Sequence, residues 1–330
     1  MNSSRNELQA LIEQNRLAPQ DIERAAHVAG IFPTSSTWLH FLDRALLMLG
    51  CLAFSISLLF FVAYNWLAFD HFAKFALVES VIVLATVSYV FSQKSRAPNL
   101  ISQASLLVAS LSLGILLALF GQTYQTGADP WQLFFNWALL MLPWLLLSRS
   151  SWLWLFWCVL LNISLVLWMD AYGISILKYQ YNNVSKMWAT LALNAGFILT
   201  WELASNRFNW LKNRWAIRSL VAFTIYAATA AAVILRLNDD GLAVLMSLLF
   251  ICGAAYIYRK LKPDLLILTL LALSVSIIAL TILADFVFSS NNDWLGSFLF
   301  MSLATLGLGS TFTVWLKNIH KDMINQEATS

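Results

Sequence analysis

Ionisable side chains are scarce in the apolar stretches of this 330-residue chain, so chemistry is to be sought first at the few that fall there. Glu79 lies about six residues inside the run 73–92, roughly 9 Å along a helix axis at 1.5 Å per residue. An ionisable group at that depth takes a proton or a cation as its natural partner. The plainer reading is a neutral or hydrogen-bonded carboxyl, with Lys74 about one turn nearer the surface as a neighbour. A second candidate is the connection Gly121-Gln122-Thr123-Tyr124-Gln125-Thr126-Gly127-Ala128-Asp129-Pro130. It has no Lys or Arg, its glycines permit tight turns, and Gln122, Tyr124, Gln125 and Asp129 carry hydrogen-bonding side chains. These residues are expected to line a polar entrance for a small solute or cation, or else to form only a polar loop with an Asp-Pro helix start.

Asp70, His71 and Asp285 are secondary candidates. They belong to a surface that also holds Asp129, Asp170, Asp239, Asp240 and Asp293 and, with Glu79, sets eight acids against the four bases Lys74, Lys178, Lys186 and Arg236. A cation-attracting vestibule has this composition, and so does a surface merely depleted of bases. Asp70-His71 offers two adjacent ligands, too few for a metal site. His27, His40, His71 and His320 are scattered, and no Ser, His and Asp constellation, phosphate-cradling glycine loop or His-Glu motif is present. Cys51, Cys158 and Cys252 have no paired spacing. No catalytic residue, metal or cofactor is expected, and an enzyme is the minority reading.

The elements that must position these residues are membrane helices. The chain is 60% hydrophobic and 11% charged, against about 25% charged in soluble domains. Apolar runs at 45–66, 73–92, 100–120, 131–147, 152–169, 187–204, 217–236, 241–258, 264–287 and 294–316 have about the length a bilayer core demands. The expectation is an all-α polytopic bundle of about ten spans over 45–316, with a cytoplasmic tail at 317–330. The fourth and fifth runs, with Pro143 near their junction, would also fit a re-entrant pair. With the N-terminus cytoplasmic, sixteen of the 20 Lys and Arg residues fall on the cytoplasmic side, the side that the orientation rule enriches in them. Both termini are therefore expected inside. Nine of the 15 Trp residues sit near span ends, where indoles favour the headgroup level, whereas Trp137 and Trp157 are expected to pack between helices.

Residues 1–40 precede the first span and contain no signal-peptide apolar region. Apolar spacing predicts helices over 6–16 and 20–29, with Pro19 and Gly30 as boundaries, giving a cytoplasmic hairpin. Glu7, Glu13, Asp21 and Glu23 deny it the basic stripe that nucleic acid needs, so no nucleic-acid partner is expected. Small residues at helical spacing, Gly50/Ala53/Ser57, Ser102/Ser105/Ala109/Ser112 and Ser302/Thr305/Gly309, are expected to let helices approach closely.

The hairpin ending near Trp38, the Gly121-Gln122-Thr123-Tyr124-Gln125 to Asp129 stretch, and then Trp137-Ala138-Leu139-Leu140-Met141-Leu142-Pro143 resemble the bacterial predicted membrane proteins called domain of unknown function 2157. The resemblance covers about the first half of the chain. It implies a bacterial cytoplasmic-membrane location, no established activity, and a complex with other membrane proteins, since similar proteins are often associated with a small one named for a Gly-Asp-Tyr motif. Two functions are thus open: a solute- or cation-handling protein, or a structural or assembly subunit.

Overall fold

The computed structural model describes residues 8, 11–12, 14, 16–18, 21–30, 34–94, 99–173, 182–212, 214–236, 241–290 and 294–329. Among them the secondary structure is entirely helical. Twelve α-helices follow one another: α1 (Ile22–Val28), α2 (Ser35–Tyr64), α3 (His71–Lys94), α4 (Asn99–Tyr124), α5 (Pro130–Leu140), α6 (Leu142–Ser148), α7 (Ser151–Tyr172), α8 (Asn182–Ala204), α9 (Arg214–Arg236), α10 (Gly241–Tyr256), α11 (Leu265–Ser290) and α12 (Trp294–Thr329). A 3₁₀ turn at Asn209–Lys212 leads into α9, and a π turn at Ile257–Leu261 closes α10.

Local signals explain these boundaries. Thr34 Oγ1 accepts a bond from the Thr37 amide at 3.4 Å and starts α2, and Asp70 Oδ1 accepts from the Ala73 amide at 2.8 Å at the start of α3. Such side chains satisfy N–H groups that a first turn leaves without partners. Pro130 opens α5, and Pro143 in the first turn of α6 accounts for the 43° bend between the two helices, because proline cannot donate to, and clashes with, the preceding turn. Gly30, just past α1, has φ +67°, the left-handed conformation that suits glycine after a helix. Of the expected hairpin, α1 is seen with Ala26 buried. Most of the helix expected over 6–16, and Pro19, fall outside the described residues, as do Lys178, Asp239, Asp240 and Asp293.

All ten apolar runs fall on helices. Seven helices are long and apolar enough to cross a membrane, eight if the bent α5–α6 pair counts as one span. The chain is a polytopic helical membrane protein. The two remaining runs differ for physical reasons: α10 has only 16 residues before its π turn, and Asn194 and Glu202 dilute the hydropathy of α8. The fourth run is the bent pair, while the fifth is the uninterrupted α7 of 22 residues. Residues 317–329 continue α12 as helix.

The chain divides into two compact units, Met1–Leu119 and Phe120–Ser330. In the first, Leu58, Val62, Val78, Ile115 and Leu119 form the core. Ser102, Ser105, Ala109 and Ser112 of α4 are buried as expected, with Ser102 Oγ 2.7 Å from Ser92 Oγ and Ser105 donating to Ser88 at 3.1 Å. The face of α2 expected to pack is not the one that does. Gly50, Ala53 and Ser57 are exposed, and Cys51, Ser55, Leu58 and Val62 are buried instead, because Leu58 and Val62 of that face pack against Val78, Ile115 and Leu119.

In the second unit α9 is central and packs against α8, α10 and α11. Its Ala216, Ala228, Ala231 and Ala232 are fully buried, so neighbouring backbones can approach closely. Trp157 Nε1 of α7 donates to the Ala138 carbonyl of α5 at 3.0 Å, and Trp137 packs edge-on to Phe156 at 5.3 Å, the interhelical roles expected of these two indoles. Ser302, Thr305 and Gly309 of α12, by contrast, are exposed. Each hydroxyl bonds back to its own helix, Ser302 to Leu299 O and Thr305 to Met301 O, so neither needs a neighbour.

Buried Asn162 of α7 and Asn194 of α8 exchange amide bonds at 2.8 and 3.1 Å. Replacing Asn194 by Leu strands the Asn162 carbonyl, and should cost about 0.6–2 kcal/mol, the range for interhelical bonds in membranes. Thermal denaturation in detergent should show a lower midpoint for Asn194→Leu and partial recovery in the Asn162→Leu/Asn194→Leu double variant.

Candidate functional site

The residues singled out in the sequence are mostly at the surface. Glu79 is exposed on α3, eight residues after its first residue, about 12 Å along the axis. Among the described residues it has no ion pair or hydrogen-bond partner. Lys74 does not serve it: that ammonium is buried over the Trp66 ring, 3.8 Å from the centroid. Asp70 caps α3, and exposed His71 lies against Phe72 with ring centroids 5.0 Å apart. No group of three or more His, Cys, Asp or Glu side chains suited to a metal occurs among the described residues.

The 121–130 connection is partly helix, because α4 runs to Tyr124. Gln122 and Tyr124 project from its last turn, and the Tyr124 ring lies 4.8 Å from Phe120. Gln125 and Gly127 then take φ +45° and +63°, so one left-handed position is held by a residue other than glycine. Asp129 occupies the position before α5 without capping it. Gln122, Gln125 and Asp129 are exposed, as is Asp285 on α11. Asp170, at the end of α7, pairs with Lys186 of α8.

The densest polar cluster was not among these candidates. It gathers where α8 ends, α9 begins and α11 begins. Arg214 and Arg218 stand one turn apart on α9, so both side chains leave the same face. Arg214 donates to Asp264 Oδ2 from Nη2 at 3.0 Å and Nε at 3.1 Å, and Arg218 Nε donates to the same oxygen at 2.9 Å. Arg214 Nη1 also reaches Glu202, 3.3 Å from Oε1, and Tyr258 donates its hydroxyl to that oxygen at 3.2 Å. Lys262 contacts Glu202 Oε2 at 2.9 Å and donates to Ser205 Oγ at 2.9 Å. Glu202 is therefore largely covered despite its place near a helix end; it is 8% exposed, and the Asp264 side chain 1%.

Three cations on two carboxylates keep the cluster positive by one charge. The arginines lie in the first turns of α9, at the positive end of its dipole, where cations are disfavoured unless anions are supplied. Asp264 supplies one from just ahead of α11, outside the span Leu265–Ser289. Burial alone would push its carboxyl up, but the hydrogen bonds and charges of Arg218 and Arg214 prevail and hold it below the ordinary carboxylate value. Beside the cluster a cavity of about 340 Å³ is lined by Trp201, Glu202, Ser205, Asn206, Lys212 and Arg214, among others. The available sequence signal was Arg214 and Arg218 at i and i+4 with Lys262-Pro263-Asp264 between two apolar runs.

Helices of this length and hydropathy, fastened at their ends by buried ion pairs, define a polytopic helical membrane protein. Residues 9–154 match the family described as "Predicted membrane protein (DUF2157)", which bears out the resemblance drawn from the sequence. The match includes Glu79 and the 121–130 segment and stops before the ion-pair cluster. No curated protein and no solved structure matches the chain.

Asp264→Ala leaves two arginines facing each other without their carboxylate. Breaking such a pair costs about 3–5 kcal/mol when buried, and the side chains of Arg214 and Arg218, 31% and 39% exposed, place the expected loss near the lower bound. Because the folded carboxyl titrates below its unfolded value of about 3.9, its contribution is full above that pH and is lost as pH falls through the folded value. Melting curves of the wild type should therefore steepen their decline below about pH 4, and Asp264→Asn should remove that part of the dependence.

Proposed function

We propose that this chain is a multi-pass protein of the bacterial cytoplasmic membrane, with both termini cytoplasmic, that acts as a non-catalytic assembly subunit of a membrane protein complex. The single observation that carries this reading is Glu79, exposed on α3 with no partner among the described residues. A carboxylate at that depth is stabilised by a donor or a cation, and a helix of another membrane protein can bring one. The uncovered small-residue faces of α2 and α12 support the same reading, since such faces are packing surfaces in lipid. The orientation rests on the excess of Lys and Arg assigned to the cytoplasmic side.

A second reading is favoured by the exposed, base-free array of Gln122, Tyr124, Gln125 and Asp129, with Asp285 as a further acid. There the protein handles a small solute or cation from the far side.

Photo-crosslinking in native membranes separates the two. A photoreactive residue at position 79 should give a discrete protein adduct, and one at exposed Leu84 of the same helix should give mainly lipid adducts. Only lipid adducts at both positions would overturn the assembly reading. In parallel, a cysteine at position 79 that reacts with an impermeant thiol reagent from the far side would report a water path and move the conclusion to solute handling.

A further inference from the structure

A cavity of about 820 Å³ opens within the second unit between α7, α8 and the turn that follows α8. Its walls are aromatic, with Trp154, Trp157, Phe197 and Trp201 prominent, and its charged lining residues are Arg149 and Arg207. No carboxylate lines it among the described residues, and neither arginine has an ion-pair partner there. Two guanidinium groups at an apolar cavity form a site for an anion that carries an apolar body.

The surroundings narrow the ligand. Arg149 precedes α7, a helix long and apolar enough to span a bilayer, and Arg207 follows α8, so both stand beside helix ends, where a basic pocket can meet lipid headgroups. Arg149 has φ +45°, a left-handed conformation that a side-chain-bearing residue adopts at a cost. The turn is held by the Ser150 amide donating to Ser148 Oγ at 3.2 Å. The indole N–H groups of Trp154 and Trp201 also lack an acceptor among the described residues, and Trp201 is 6% exposed. Cavities of roughly 300–1,000 Å³ take small ligands whole, and this one has room for the phosphate and glycerol end of a lipid, with acyl chains passing along the aromatic wall.

We infer that this cavity is a binding site for the headgroup of an acidic phospholipid, with the phosphate held by Arg149 and Arg207. The negative charge of the lipid is what the site selects, and basic pockets between membrane helices are known to hold such headgroups. This inference is independent of the assembly role proposed above.

The test uses the full-length protein, purified and delipidated in neutral detergent, with its melting midpoint followed as lipid is added. Phosphatidylglycerol should raise the midpoint in a saturable manner and phosphatidylcholine should not. The Arg149→Gln/Arg207→Gln variant should need at least tenfold more phosphatidylglycerol for the same shift while keeping its lipid-free midpoint. A Lys317→Gln/Lys321→Gln variant, which removes two exposed charges outside the cavity, should respond as the wild type does. Equal shifts with both lipids, an unimpaired arginine variant, or an equally impaired lysine variant would each overturn the inference. If the arginine variant melts early without lipid, direct detection of co-purifying phosphatidylglycerol by native mass spectrometry in the Arg207→Gln single variant decides in its place, and retention at the wild-type level overturns it. Saturation by glycerol phosphate at the same concentrations would assign the site to a soluble anion and overturn the lipid source.

Discussion

The hydrocarbon interior of a bilayer offers no water to an unpaired N–H or C=O, so each crossing segment must satisfy its own backbone. That constraint reaches beyond the main chain. Hydroxyls within the helices follow it as well: Ser55 bonds to Cys51 O at 2.9 Å, Thr224 to Leu220 O at 2.8 Å, and Thr311 to Gly307 O at 2.8 Å. A hydroxyl satisfied by its own helix places no demand on a neighbour. It can therefore face lipid or protein with little difference in energy.

Association between helices then rests on shape and on a few side chains that do need partners. In the second unit these two devices are separated along α9. Its alanines allow close approach along the buried length, while Arg214 and Arg218 fasten its beginning to the start of α11 and the end of α8. The Asn162 and Asn194 pair lies within the helices, and it is accommodated there because each amide is both donor and acceptor to the other. The charged cluster of the second unit is thus kept to helix ends, where the dielectric is higher, and a reciprocal neutral bond is used deeper.

Much of the fold was legible because helix formation in lipid leaves broad marks. Long apolar runs, Pro130 before α5, Pro143 at the bend and Gly30 after α1 all act through local sterics, and each acts where the sequence puts it. Which face of a helix becomes covered was not legible. Gly50/Ala53/Ser57 and Ser102/Ser105/Ala109 have the same spacing, yet only the second set is buried, since spacing describes one helix and burial depends on two. The ion-pair cluster was hidden for a related reason. Glu202 and Asp264 are 62 positions apart in sequence, and only the packing of α8, α9 and α11 brings both to Arg214.

The last helix has a mechanical aspect. At 36 residues, α12 extends about 54 Å, against a hydrocarbon core of about 30 Å, so about 24 Å of rigid rod stands outside the core. An unbroken rod transmits angle as displacement. A change in tilt of about 20°, the mean lean of a membrane helix, would sweep the end of that overhang through about 8 Å. Small rearrangements within the lipid would thereby be magnified in the adjoining aqueous layer, at Lys317, His320 and Lys321 and beyond.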